Sequence, residues 1–341
     1  MNLRGLATGI GSLPYEDPAK AVDLVLKYLP QIPFWPQLPK LGGCEGMVAQ
    51  FAQNLPCLKI SLDGVNFDPK NQERELENFY GQIISNNVDY FKIGPDLAAG
   101  LYEFYHRLEK FDLKDIEFIK CHITGAFTFA ASIKDEEGRA LLHDPIFMQV
   151  IIKGLAMKAF WQIKFFAKFA KKIIMFLDEP YLAGFGSAYT PINREEIVNG
   201  LRELTTGIKS ENVYVGVHCC GNTDWSIFTD IKTIDIINFD AFNFLEKFTL
   251  YADSLKGFLK RGGIICWGIV PTQEFSGRET AESLKKKIDH GIDILLKKGL
   301  DKDLLLNNLL VSPACGLGTL ESVKAENILK MLSEISYLIR K

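Results

Sequence analysis

The chain has 341 residues, of which 47% are hydrophobic and 24% charged. That balance excludes a disordered chain, and the length gives room for one large α/β domain or two medium ones. Lys+Arg 39 against Asp+Glu 42 gives a formal charge of −3, which leaves no basic excess to hold a nucleic-acid backbone.

The opening stretch, MNLRGLATGIGSLPYEDP, has no apolar core of signal-peptide length, so a cytoplasmic chain is expected. Seven cysteines (Cys44, Cys57, Cys121, Cys219, Cys220, Cys266 and Cys315) are then expected as reduced thiols, not as a disulfide scaffold. From there on, apolar strands alternate with amphipathic helices. Strands are predicted at 6–10, 32–35, 117–123, 173–177, 213–217, 234–239, 264–269 and 308–311. Helices are predicted at 18–29, 96–111, 144–171, 193–208, 250–260, 278–298 and 321–339. Asp17-Pro18, Asp144-Pro145 and the segment 191–193 supply first-turn signals.

The most apolar stretch, 145–170, is interrupted by Lys153, Lys158, Lys164 and Lys168. That rhythm fits a long helix packed on a sheet and not a membrane span. Eight buried-type strands alternating with helices predict a single (β/α)8 TIM barrel, with 1–341 as one domain. An open doubly wound sheet has the same periodicity. Segments 58–62 and 90–93 also read as strands and are expected as an insertion, a hairpin, after the second barrel strand.

In a barrel, active groups follow the C-terminal ends of the strands. Those ends carry Ile10-Gly11-Ser12, His122-Ile123-Thr124-Gly125, Asp178-Glu179-Pro180, His218-Cys219-Cys220-Gly221-Asn222, Asp240, and Ser312-Pro313-Ala314-Cys315-Gly316. His218 and Cys220 are two apart and share a side of extended backbone. With Cys315 from across the mouth they form a nitrogen/sulfur set that suits Zn2+, with Asp240 as a weak oxygen ligand.

Plainer readings stand beside these. Cysteine is often a small buried hydrophobe, and Cys44, Cys57, Cys121 and Cys266 read that way. Cys219 points away from its neighbours and reads as packing. His122 reads as a hydrogen-bonded histidine near the pocket, with a metal ligand as the alternative. Asp178-Glu179 would at its plainest cap the following turn, although two adjacent acids ending an apolar strand are costly without a task. Phe160, Trp161, Phe165, Phe166 and Phe169 read as helix packing. Trp35, Trp267, Asn222 and Glu274 are candidates for the pocket wall or rim.

Five motifs in order carry a resemblance. Gly9-Ile10-Gly11-Ser12-Leu13-Pro14, Thr124-Gly125-Ala126-Phe127-Thr128, Leu177-Asp178-Glu179-Pro180, His218-Cys219-Cys220 and Ser312-Pro313-Ala314-Cys315-Gly316-Leu317 resemble motifs of the catalytic half of cobalamin-independent methionine synthase. That superfamily also holds uroporphyrinogen decarboxylase and the corrinoid-dependent thiol methyltransferases. The resemblance implies that His218, Cys220 and Cys315 bind zinc, with Asp240 near the position of the family's glutamate ligand. It implies that Ile10, Gly11, Ser12 and Asp178 clamp the amino-acid part of homocysteine, with Glu45 as a second acid. The family's second, N-terminal barrel, which helps hold the folate, is expected to be absent. A corrinoid such as methylcobalamin, free or on a corrinoid protein, is therefore the expected methyl donor.

The expected activity is methylation of a thiol, homocysteine first, with no nucleic-acid or membrane partner. Three alternatives carry different signatures. Coenzyme M or another small thiol has no ammonium for Asp178. A uroporphyrinogen decarboxylase-like enzyme needs an arginine-rich cleft, yet the chain has nine Arg and only Arg4 within its first 70 residues. A non-catalytic corrinoid- or metal-binding protein would have a metal site closed by four protein ligands.

Overall fold

The computed structural model describes residues 3–61, 64–187 and 190–341. Seven parallel strands form one curled sheet: β1 (Leu6–Ala7), β4 (Ile119–Thr124), β5 (Ile173–Asp178), β6 (Val213–Cys219), β7 (Ile236–Phe239), β8 (Ile264–Val270) and β9 (Leu309–Pro313). Their spatial order is β1-β9-β8-β7-β6-β5-β4. All seven were legible as apolar runs because strands buried on both faces show no alternation.

The expected eight-stranded barrel is corrected at its second strand. Residues 32–35 make no ladder; they give isolated parallel bridges, Phe34 to Lys120 and, just beyond, Gln37 to Ser12. The cause is in the sequence: Pro30, Pro33 and Pro36 remove the N–H donors that a ladder needs. The segment instead works through carbonyls, with Lys120 N donating to Pro33 O at 2.9 Å and Leu13 N to Gln37 O at 2.9 Å.

The insertion is a hairpin, but not the one expected. β2 (Leu58–Ser61) pairs antiparallel with β3 (Gly64–Phe67), and Leu62 of the expected strand lies outside the described residues. Residues 90–93 contribute to the 3-10 turn Val88–Phe91; their apolar character serves burial of Phe91 and Ile93, not pairing.

Helix Pro145–Phe166 is long and apolar enough to cross a membrane by length and composition, but 67% of its most apolar 18-residue stretch is buried inside the fold. Its aromatic residues pack as expected, with Trp161 stacked on Phe165 at 4.8 Å and Phe165 on Tyr105 at 4.3 Å. Of its lysines, Lys158 is fully buried, its Nζ has no partner among the described residues, and burial pushes it down to about 7. All seven cysteines are unpaired.

Glu179 shows how the acidic pair at the end of β5 divides its tasks. Its carboxylate is fully buried and accepts from Phe127 N (3.1 Å), Thr128 N (2.8 Å) and Thr128 Oγ1 (2.7 Å). It therefore caps helix Ala126–Ser132, a different element from the turn that follows it in sequence. Glu179→Ala is expected to lower unfolding stability by about 3–5 kcal/mol, because three buried donors lose their acceptor. Chemical denaturation measures this; a loss below about 1 kcal/mol would show that water replaces the carboxylate.

Candidate metal and thiol-binding site

Register assembles the site. Thr124, Asp178, His218 and Asn238 are successive partners across β4, β5, β6 and β7. Paired residues on neighbouring strands share a face, so the four side chains form one row. Cys220 follows His218 by two residues, and Cys315 arrives from the loop after β9. A ring nitrogen of His218 and the Sγ atoms of Cys220 and Cys315 all lie within 4.8 Å of one another.

Asn238 fixes which nitrogen of His218 is available. The Asn238 Nδ2 group donates to Cys266 O (3.0 Å) and Ser312 Oγ (2.8 Å). Its Oδ1 is thereby the atom that meets His218 Nδ1, so Nδ1 carries the hydrogen and donates. Burial opposes a charged ring, but the hydrogen bond to Cys220 and the Asp178 charge outweigh it and raise His218, so Nε2 offers its lone pair to a metal once that proton is displaced. Sequence reasoning missed Asn238; the available signal was an amide inside the apolar strand Ile236–Phe239, where an unsatisfied polar group is costly.

The two thiols are not equivalent. Hydrogen bonds from Cys315 and then from His218 hold Cys220 far below the usual thiol range, at about 4. The same contact pushes Cys315 up. The pair thus favours one thiolate beside an imidazole that holds its proton more firmly than usual, and a divalent cation would take that proton's place and stabilise two thiolates. The donor set, one nitrogen and two sulfurs with the histidine oriented from behind, fits zinc. Asn238→Ala is expected to weaken zinc binding about 10–100-fold while leaving all three donors in place. Competition with a chromophoric chelator reads this, and unchanged affinity would refute the orienting role.

A cavity of about 130 Å3 opens beside the three donors. Ile10, Ser12 and Asp178 line it with His218, Cys220 and Cys315, as expected from the sequence. Asp178 Oδ1 is buried with no hydrogen-bond partner among the described residues, and burial raises this carboxyl. Gly11 sits with its Cα against the His122 ring, where a Cβ would come within 2.9 Å of it. The Ile10 carbonyl is already taken by the buried Lys120 ammonium. Burial pushes Lys120 down to about 8.

Two expected site residues are placed elsewhere. Glu45 does not line the cavity: Oε1 accepts from Ala99 N (2.6 Å) and Oε2 from Gln50 Nε2 (3.1 Å). It ties the 38–50 loop to helix Ala99–Leu108, and burial pushes it up to about 7. Asp240 is outside the donor group and caps helix Ala241–Thr249, accepting from Asn243 N (2.9 Å) and Nδ2 (2.8 Å). A helix start directly after β7 explains why its carboxylate turns away.

Trp35, Trp267, Asn222 and Glu274 do not line the cavity; Gln37, Met47, Phe51 and Thr124 do. The first three of those lie on turns and a short helix that carry no strand-end signal, which is why the sequence hid them. Thr124 was within a quoted motif.

No family model matches the chain. A methionine synthase from Methanocaldococcus jannaschii is 28% identical over 278 residues, covering 76% of this chain and 80% of that protein. The chain is similar to a methionine synthase. A solved B12-independent methionine synthase from Shewanella sp., in complex with selenomethionine, superposes with a TM-score of 0.47 at 18% identity. That match covers 65% of this chain and 62% of the solved one, so under two thirds of that relative's length is spanned.

The resemblance read from the five motifs stands, but the corrinoid expected with it is withdrawn. Cavities for drug-sized ligands run to about 300–1,000 Å3. At about 130 Å3 this one has room for a small amino acid and would not enclose a corrin macrocycle. A corrinoid-carrying partner likewise finds no support.

Proposed function

We propose that the chain is a methyltransferase that methylates the sulfur of homocysteine to give methionine, with His218, Cys220 and Cys315 holding a zinc ion. The observation that carries this reading is the convergence of those three donors beside a small cavity that contains the unpaired Asp178 oxygen. The similarity to a methionine synthase supports it. One domain over 1–341 and a cytoplasmic setting belong to the same proposal.

The chemistry needs a sulfur nucleophile. A free thiol has a pKa near ~8.5 and is mostly protonated at neutral pH. A zinc ion would supply the charge that lets an incoming thiol lose its proton and present a thiolate. The chain's own residues do the remainder. Asn238 holds the His218 ring by Nδ1, which leaves Nε2 for the ion. Asp178 pairs with the substrate ammonium and aligns the chain of the amino acid in the cavity. Phe51, Met47 and Ile10 exclude water from its carbon atoms. The sulfur then takes the methyl group from a methylated donor and the donor leaves with the electron pair of the broken bond.

Three protein donors leave a position for the substrate, which favours catalysis over a closed carrier site. An acceptor with no ammonium leaves Asp178 unpaired, which disfavours coenzyme M. Among the described residues no arginine lines the cavity, which disfavours a polycarboxylate decarboxylation. The test is methionine formation by zinc-loaded protein given homocysteine and, separately, methyl-folate or methylcobalamin. Methionine with methyl-folate and none with methylcobalamin is expected; no methionine from the folate, with no homocysteine binding, would refute the reading.

A further inference from the structure

His122 is the most completely prepared polar group that the mechanism above leaves idle. It lines the cavity, is only 2% exposed, and has no hydrogen-bond partner for either ring nitrogen among the described residues. The other buried imidazole, His218, is anchored through Nδ1. An unpaired buried polar group is costly, and native proteins rarely keep one without a use.

The ring is also held in place by its neighbours. It stacks on Trp35 with centroids 3.9 Å apart and planes at 21°. Trp35 is itself fixed, since Nε1 donates to Gln162 Oε1 at 2.9 Å, and Gln162 Nε2 donates to the His122 carbonyl at 3.1 Å. Gly11 also lies against the ring, where a Cβ would meet three ring atoms at 2.9–3.1 Å. Burial, and then the nearby Lys120 charge, hold the imidazole well below its ordinary range, so it is neutral with one donor and one acceptor.

The donors around the cavity narrow what such a ring can bind. The Gln37 amide gives one of its two hydrogens to Gln50 Oε1, and the Thr124 hydroxyl donates its only one to the Met47 carbonyl. Ser12 Oγ accepts from Gly318 N at 3.1 Å, which leaves its own proton for another acceptor. His122 and Ser12 are therefore neighbouring donors with hydrogens to give, joined through Gly11. An amino-acid thiol has three polar groups. The sulfur belongs with the His218/Cys220/Cys315 set and the ammonium with Asp178, so the carboxylate is the group left to pair.

We propose that His122, with Ser12, binds the α-carboxylate of the amino-acid substrate and so restricts the site to amino-acid thiols. This rests on the homocysteine reading above. It makes His122 a specificity residue and assigns it no metal.

The test is calorimetric binding of L-homocysteine and of 3-aminopropane-1-thiol, the same molecule without its carboxylate, to the zinc-loaded enzyme. His122→Phe keeps the stack on Trp35 and removes both nitrogens. It should weaken homocysteine about 10–100-fold, the range for a lost hydrogen bond to a charged group, and leave the carboxylate-free thiol within about twofold. His122→Gln, which keeps a donor, should recover part of the loss. Equal weakening of both thiols, or no weakening of homocysteine, overturns the proposal. A wild type that binds neither compound overturns the homocysteine reading instead. Should His122→Phe fail to fold, ring 15N signals of the wild-type histidine decide: they should shift on adding homocysteine and not on adding the carboxylate-free thiol, and a shift with both or neither overturns the assignment.

Discussion

Cys315→Ala is expected to lower zinc affinity by more than about 100-fold and to remove methyl transfer with it. The thiol is one of three donors, and the two that remain belong to a single strand end, so no ring of ligands survives around the ion. Its loss also withdraws the first of the hydrogen bonds that hold Cys220 as a thiolate. Cys315 is only partly buried, so the fold should be little affected. Cys219→Ala provides the contrast. That side chain is fully buried in the core, one residue from a proposed ligand. Its truncation should cost about 1 kcal/mol of stability and leave zinc stoichiometry unchanged. Metal analysis after dialysis, paired with denaturation curves, separates the two; zinc retained in Cys315→Ala would remove that residue from the ligand set.

Asp178→Asn is expected to raise the KM for homocysteine about 10–100-fold with zinc content unchanged. The amide keeps the size of the side chain but cannot neutralise an ammonium. The same substitution should leave the unliganded protein as stable or more so. Burial raises the Asp178 carboxyl above its ordinary value, so ionising it opposes folding. The sign follows: the folded form holds its proton to higher pH than the unfolded form, and stability falls as pH rises through that interval. Asp178→Asn removes that fall. A group that weakens the fold and strengthens substrate binding is what a site residue looks like in energetic terms. An unchanged KM would eliminate the ammonium clamp.

Much of this was legible in the sequence, for identifiable reasons. Parallel strands buried on both faces announce themselves as apolar runs, and chemistry placed at or beyond their C-terminal ends is readable by position. His218, Cys220, Cys315, Asp178 and Ser12 all follow that rule, and the structure brings them to one cavity. What failed were inferences about where a side chain turns. Asp240 and Glu45 sit beside chain segments whose backbone N–H groups need acceptors, and those nearby donors take the carboxylates. The prolines at 30, 33 and 36 were visible, yet the apolar run between them read as a strand. Asn238 and the orphaned His122 ring depend on cross-strand register and on a glycine twenty-four residues upstream of Trp35, neither of which a linear pattern encodes.

The central claim is that His218, Cys220 and Cys315 hold one ion and leave a position for a substrate sulfur. Zinc K-edge absorption on the loaded protein, with and without homocysteine, measures it directly. Two sulfur contacts should become three when the thiol is added. A count that stays at two, or protein that takes up no zinc at all, would contradict the account.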